Sequence, residues 1–308
     1  MKNTTFGKGF LFALLAYSMW GILPLYWKLL IAVDSLHILA FRILLSLVLI
    51  GIILLATKKS AWLEVFREPK KAIIMILTAL LLCCNWGLYI WAVNLGHTLE
   101  ASLGYYINPL ISIILGLIFF RERLLPLQWA AVIIAFTGVL ILTVLSGSLP
   151  MVSLFLALTF GFYGLLKKKL GLAALESLGA ETLASAPIGI LLLCFSSPVN
   201  GSPVPGFAGF RSLAYLTDLP LQTCILLALA GLMTTLPLYF FARGAKLLPL
   251  SALGFTQFIS PTINFFLALF VFGESFPSHY FITFAFIWTA VIIYIISLRL
   301  APGTKKVR

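Results

Sequence analysis

Apolar residues run through this chain in blocks of about 20, the length a helix needs to cross a hydrocarbon core of roughly 30 Å. Short stretches that hold nearly all of the charge separate the blocks. Runs such as 43–56 and 111–120 are continuously apolar and lack the in–out alternation of a barrel strand. Inside lipid every backbone amide needs a partner within the segment or in a closed barrel, so the pattern predicts helices. It places them at about 9–30, 36–56, 72–94, 101–120, 126–146, 150–166, 177–196, 220–242, 249–272 and 278–298. The first block is too long for a signal-peptide core and reads as a retained helix.

The cations test this map. With the N-terminus inside, 18 of the 21 Lys and Arg residues fall in inner segments and Arg211 alone in an outer loop, while Lys28 and Arg42 lie within spans. An asymmetry that alternates at every loop supports ten spans with both termini cytoplasmic. Composition agrees: 62% of the 308 residues are hydrophobic and 10% charged, against about 25% charged in an ordinary soluble domain. The net charge of +12 is therefore a topology signal, and nucleic-acid binding is not expected, because no basic patch sits on a folded domain. Cys83, Cys84, Cys194 and Cys224 lie inside apolar runs without zinc or disulfide spacing and read as buried packing thiols.

Two stretches resemble each other. Leu88-Tyr89, Ala92 and Leu103-Gly104 recur as Leu238-Tyr239, Ala242 and Leu253-Gly254; then Pro109, Ile111, Leu115, Leu117, Phe120 and Glu122 match Pro261, Ile263, Leu267, Leu269, Phe272 and Glu274. Trp20-Gly21 and Tyr163-Gly164 make a weaker pair. The repeat divides the chain into 1–147 and 148–308. Five spans per half is an odd number, so the second half enters the membrane inverted, as in many secondary transporters, where rocking of the halves exposes a midplane site to either side.

The run Trp20-Gly21-Ile22-Leu23-Pro24-Leu25-Tyr26-Trp27-Lys28, then Arg42, then Ser102-Leu103-Gly104-Tyr105-Tyr106-Ile107-Asn108-Pro109-Leu110, with Pro237-Leu238 and Gly273-Glu274 later, resembles the RarD group of EamA-type transporters. That group lies within the drug/metabolite transporter superfamily. The resemblance covers nearly the whole chain and implies a ten-helix, multi-pass carrier of the bacterial inner membrane. Many members of the group carry glutamate where His37 stands here, so an acidic role does not transfer to that position.

Ionisable and polar groups within spans are costly and point to function. Lys28 and Arg42 form a candidate cationic patch for a substrate carboxylate or phosphate; Arg42 is the stronger candidate because its planar guanidinium grips such anions bidentately. The competing structural roles are snorkelling for Lys28 and pairing with Asp34 for Arg42. Asn85, Trp86 and Tyr89 share a helix face, and Trp20, Tyr26, Tyr105, Asn108, Thr235, Tyr239 and Gln257 complete the expected substrate-binding set of aromatic walls and polar groups. Pro24, Pro109, Pro237 and Pro261 are expected to kink helices and free carbonyls that can line a cavity. Trp20, Tyr89, Tyr105 and Tyr239 are expected near one another. Glu122 and Glu274 read as interfacial anchors.

No Gly-x4-Gly-Lys-Ser/Thr loop, metal-ligand cluster or nucleophile–base pair occurs, so neither cofactor nor metal is expected. The expected partners are a small-molecule substrate and membrane lipid. The leading expectation is a secondary transporter of a small amphipathic or anionic metabolite such as an amino acid, aromatic compound or drug-like molecule. The rival is an integral-membrane enzyme or flippase-like protein acting on lipid-linked substrates, which should show acidic or histidine clusters at one membrane face.

Overall fold

A computed structural model describes residues 2–31, 33–58, 61–94, 98–145, 151–195, 219–273 and 279–300. It is helical throughout those residues. The helices are α1 (Lys2–Lys28), α2 (Ser35–Ala56), α3 (Pro69–Asn94), α4 (Thr98–Phe119), α5 (Pro126–Leu145), α6 (Met151–Leu170), α7 (Ala174–Phe195), α8 (Leu221–Leu247), α9 (Leu250–Gln257), α10 (Ile259–Phe270) and α11 (His279–Leu300). Among the described residues nine stretches are long and apolar enough to cross a membrane, Leu250–Phe270 counting as one, and Gly104–Phe119 adds a shorter apolar helix. The chain is thus a multi-pass membrane protein.

The expected spans are present, with three changes. The ninth is broken at Phe258 into α9 and α10. Pro261 lies just beyond the break and withholds the N–H that a continuous helix would direct at the Gln257 carbonyl. Helix α8 runs on to Leu247, further than the apolar pattern suggests, because Arg243 and Lys246 sit in its last turns. A 3₁₀ turn at Ala61–Phe66 occupies the α2–α3 connection. The long 197–219 connection, Glu274 and the C-terminal basic tail lie almost wholly outside the described residues.

Helices from the two ends of the sequence interleave. Helix α1 packs on α8, α9 and α10; α3 and α4 pack on α6; α2 packs on α7 and α8; α5 packs on α11; and α4 packs on α9. Glycine permits the closest of these approaches. A Cβ on Gly254 would stand 2.8 Å from the Pro109 carbonyl oxygen, and one on Gly104 would stand 3.1 Å from that of Ser153. The outer faces are apolar, with Ile31 84% and Leu55 80% exposed, as a lipid-facing surface requires. Cys84 belongs to that exposed surface and corrects the expectation of four buried thiols; Cys83 and Cys194 are buried, and Cys224 is half-buried.

Asp34 starts α2. Its carboxylate accepts from the Leu36 and His37 amides at 2.9 and 3.2 Å and faces His37 Nδ1 at 3.2 Å. The His37 hydrogen bond, helped by the two backbone donors and the nearby ring charge, holds the Asp34 carboxyl below its usual range despite partial burial. This cap occupies Asp34, so Arg42 does not pair with it.

Candidate functional site

A cavity of about 360 Å³ runs from the middle of the bundle to its α1–α2 end. Tyr17 and Gln257 lie at its deep end and Trp27 and Ser35 at its mouth. Eleven residues of α1 separate Tyr17 from Lys28, a rise of roughly 16 Å at 1.5 Å per residue. The floor is therefore near the middle of the span.

Each wall is a helical stripe. Trp20, Pro24 and Trp27 come from α1; Ser35, Ile38, Leu39 and Arg42 from α2; Asn85, Trp86 and Tyr89 from α3; Tyr105 and Asn108 from α4. Helix α6 adds Leu156 and Phe160, and the α9–α10 break adds Gln257, Ser260, Pro261 and Asn264. Residues three, four and seven apart fall on one face of a helix, which is why these side chains converge.

Arg42 dominates the electrostatics. Its guanidinium carbon lies 4.5 Å from the Trp27 ring centroid and 4.3 Å from that of Trp86, and its Nε donates to Thr234 Oγ1 at 2.9 Å. Thr234 in turn donates to the Ala230 carbonyl at 2.9 Å. The two indoles hold the plane by cation–π attraction, worth about 2 kcal/mol or more when desolvated. Among the described residues no carboxylate pairs with Arg42, and none lines the cavity. The cation of the site thus has no carboxylate counter-ion among the described residues.

The remaining walls are aromatic and amide. Trp20 packs edge-on against Phe160 at 5.7 Å, and Tyr89 against Tyr105 at 5.7 Å. Asn85 is committed to packing, its Nδ2 donating to the Leu156 carbonyl and to Thr159 Oγ1, both at 2.9 Å. Gln257 Nε2 donates to Ser112 Oγ at 2.9 Å, tying α9 to α4.

The cavity therefore brings together Trp20, Arg42, Asn85, Trp86, Tyr89, Tyr105, Asn108 and Gln257 of the expected set. It leaves out four. The Tyr26 hydroxyl donates to the Leu226 carbonyl. The Lys28 ammonium lies 3.9 Å from the Phe272 ring centroid. Thr235 is buried inside α8 without lining the space. Tyr239 accepts from Arg243 Nη1 at 3.0 Å near the opposite end of the bundle, so it does not join Trp20, Tyr89 and Tyr105. Two of the four expected kink prolines, Pro24 and Pro261, line the cavity; Pro109 and Pro237 lie within α4 and α8 away from it. Tyr17, Trp27, Phe160, Ser260 and Asn264 are lining residues that the sequence reading missed.

The opposite end is closed by charges. The Glu122 carboxylate accepts from the Leu250 and Ser251 amides at 2.6 and 2.8 Å, capping the first turn of α9. Lys168 donates to the Ala245 carbonyl at 3.3 Å and to the Leu248 carbonyl, at the end of α8. Anion at a helix start and cation at a helix end are the favourable pairings with the peptide dipoles. Glu122 is thus an interhelical cap, where an interfacial anchor had been expected. Lys167 and Glu181 form a buried ion pair between α6 and α7.

An aromatic, cation-bearing cavity that opens at one end of a bundle of membrane-spanning helices fits a membrane transporter, and comparison with known proteins agrees. The model of the EamA-like transporter family matches residues 7–144. A Vibrio cholerae protein named as an uncharacterized transporter is 43% identical over 98% of this chain and 96% of its own length. Protein RarD of Escherichia coli is 39% identical over 94% of both chains, and Protein RarD of Streptomyces exfoliatus is 41% identical over 92% of this chain and 87% of its own. The chain belongs to the RarD group of EamA-type transporters. A solved crystal structure, 18% identical, shares the fold with a TM-score of 0.70 over 94% of this chain and 98% of that one.

Proposed function

We propose that this transporter moves a small anionic or amphipathic metabolite across the inner membrane by alternating access between two inverted five-helix halves. The observation that carries the reading is Arg42, a guanidinium held between Trp27 and Trp86 on the wall of an aromatic cavity, with no carboxylate partner among the described residues. A carboxylate or phosphate entering the cavity supplies a counter-ion for the guanidinium, and the indole and phenol rings receive the apolar part of the molecule.

The packing supports the two-halves mechanism. Exchanging first-half helices for their second-half counterparts turns the α1–α8 contact into α6–α3, and α4–α6 into the contact of α9–α10 with α1; α2–α7, α5–α11 and α4–α9 map onto themselves. The cavity opens at the α1–α2 end while Glu122 and Lys168 fasten the other. With the termini cytoplasmic, this is an outward-facing state. Reversing it requires the fastened end to release as the cavity mouth closes.

Metabolite profiling of medium and cytosol tests the reading in strains that lack the protein, overproduce it, or overproduce Arg42→Gln at equal membrane abundance. The expected result is a redistribution of a small carboxylate- or phosphate-bearing metabolite by the unmodified protein that Arg42→Gln abolishes. Identical profiles for the unmodified protein and Arg42→Gln would remove Arg42 from substrate recognition.

A further inference from the structure

Resting on that reading of Arg42, we infer that the cavity has a second recognition pole, a set of buried acceptors that binds a protonated amine, so that the preferred substrate is dipolar. The acceptors are those of Asn108, Gln257 and Asn264, lining residues whose side-chain carbonyl oxygens are buried without a hydrogen-bond partner. Asn108 and Gln257 are only 8% and 4% exposed. The Gln257 amide is oriented by its bond to Ser112, which leaves Oε1 over. The Tyr17 hydroxyl stands within hydrogen-bonding reach of the Gln257 side-chain amide, and Gln257 Oε1 itself is left without a hydrogen-bond partner.

An unsatisfied buried carbonyl is costly, and three on the lining of one cavity call for a donor from the ligand. A primary ammonium has three N–H donors and no acceptor, so it can pair with these carbonyl oxygens, which a carboxylate cannot do. The backbone adds to the same bias. Pro24, Pro109 and Pro261 each withhold an N–H from the residue four before, namely Trp20, Tyr105 and Gln257, and all three of those residues line the cavity. No carboxylate lines it among the described residues. The amine is therefore held by dipoles, and the net charge of the site stays with Arg42. A molecule with only an anionic end leaves these acceptors unpaired; one with only a cationic end meets Arg42 without a counter-charge.

The experiment titrates the purified full-length protein in detergent by calorimetry with three probes of similar size: phenylalanine (both ends), 3-phenylpropanoate (anion only) and phenethylamine (cation only), with 3-amino-3-phenylpropanoate extending the dipolar spacing. The dipolar probes should bind at least about tenfold tighter than either single-ended probe, the discrimination expected of charge-assisted hydrogen bonds. Asn264→Leu should erase that advantage by lowering the affinity of the dipolar probes about tenfold relative to 3-phenylpropanoate, and Asn108→Leu should do the same. Asn264→Asp, nearly isosteric, should improve phenethylamine binding. Arg42→Gln should weaken all carboxylate probes. Loss with Arg42→Gln but indifference to the Asn264 substitutions overturns the second pole alone, and indifference to Arg42→Gln overturns the reading beneath it. Equal binding of dipolar and anion-only probes, or binding of neither dipolar probe, also overturns the second pole.

Discussion

Glu122 holds the backbone amide of Ser251, a residue 129 positions away, at 2.8 Å. The contact joins the end of α4 to the start of α9, and the same carboxylate reaches the Leu250 amide. Pro249, at the cap position, supplies no side-chain hydrogen bond of its own, so a group from the other half of the sequence does that work.

Glu122→Gln should therefore loosen the closed end. The amide oxygen can accept from one of the two N–H groups but the nitrogen cannot accept from the other, a loss of about 1–3 kcal/mol. In a background without the four native cysteines, Ser251→Cys should react faster with a maleimide when Glu122→Gln is present. Equal reaction rates would show that the cap does not keep this end shut.

Arg42→Lys should cut substrate flux by about tenfold or more while membrane abundance stays near normal, since lysine keeps the charge but loses the planar fork and its stacking. Lys28→Met should leave flux unchanged, because that ammonium rests on Phe272 outside the cavity. Flux measured beside protein level in the same cells checks both.

The Lys167–Glu181 pair, each side chain 2% exposed, should behave as a buried ion pair. Removing one partner, as in Glu181→Ala, is expected to cost about 3–5 kcal/mol, while an apolar double replacement such as Lys167→Met with Glu181→Leu should recover most of it. Thermal unfolding in detergent reads the difference. A double variant as unstable as the single would assign the pair a role beyond charge balance.

Asp34 should give the protein a pH-dependent stability term. Its folded-state pKa is depressed, chiefly by the His37 hydrogen bond, so its contribution is complete above the unfolded value of about 3.9 and is lost as pH falls through the lower folded value. The stability gap between the unmodified protein and Asp34→Ala should be constant near neutrality and narrow in acid. A gap independent of pH down to about 3 would separate the cap from its charge.

Continuous apolar runs alone were enough to read the spans, because lipid admits few other solutions. Charge within a span singled out Arg42, and helix-face spacing singled out Asn85, Trp86 and Tyr89, all of which line the cavity. Spacing failed where a neighbour one step round the helix decides. Thr234 bonds Arg42, whereas Thr235 points into packing. Gln257, Ser260, Pro261 and Asn264 repeat at helical spacing, a signal that would have revealed Asn264, although the break at Phe258 is not written in apolar periodicity. Tyr239 matches Tyr89 in the internal repeat but lies away from the cavity, bonded to Arg243.

Arg42 also makes the cavity visible to light. Of the seven tryptophans, Trp27 and Trp86 touch its guanidinium and Trp20 shares the wall, so any molecule that draws the cation away changes the environment of these indoles. Trp91 and Trp129 are about half exposed on the outside of the bundle and contribute background emission that phenylalanine substitution removes. Occupancy can then be followed in native membranes by intrinsic fluorescence, without a label and before any substrate has been radiolabelled.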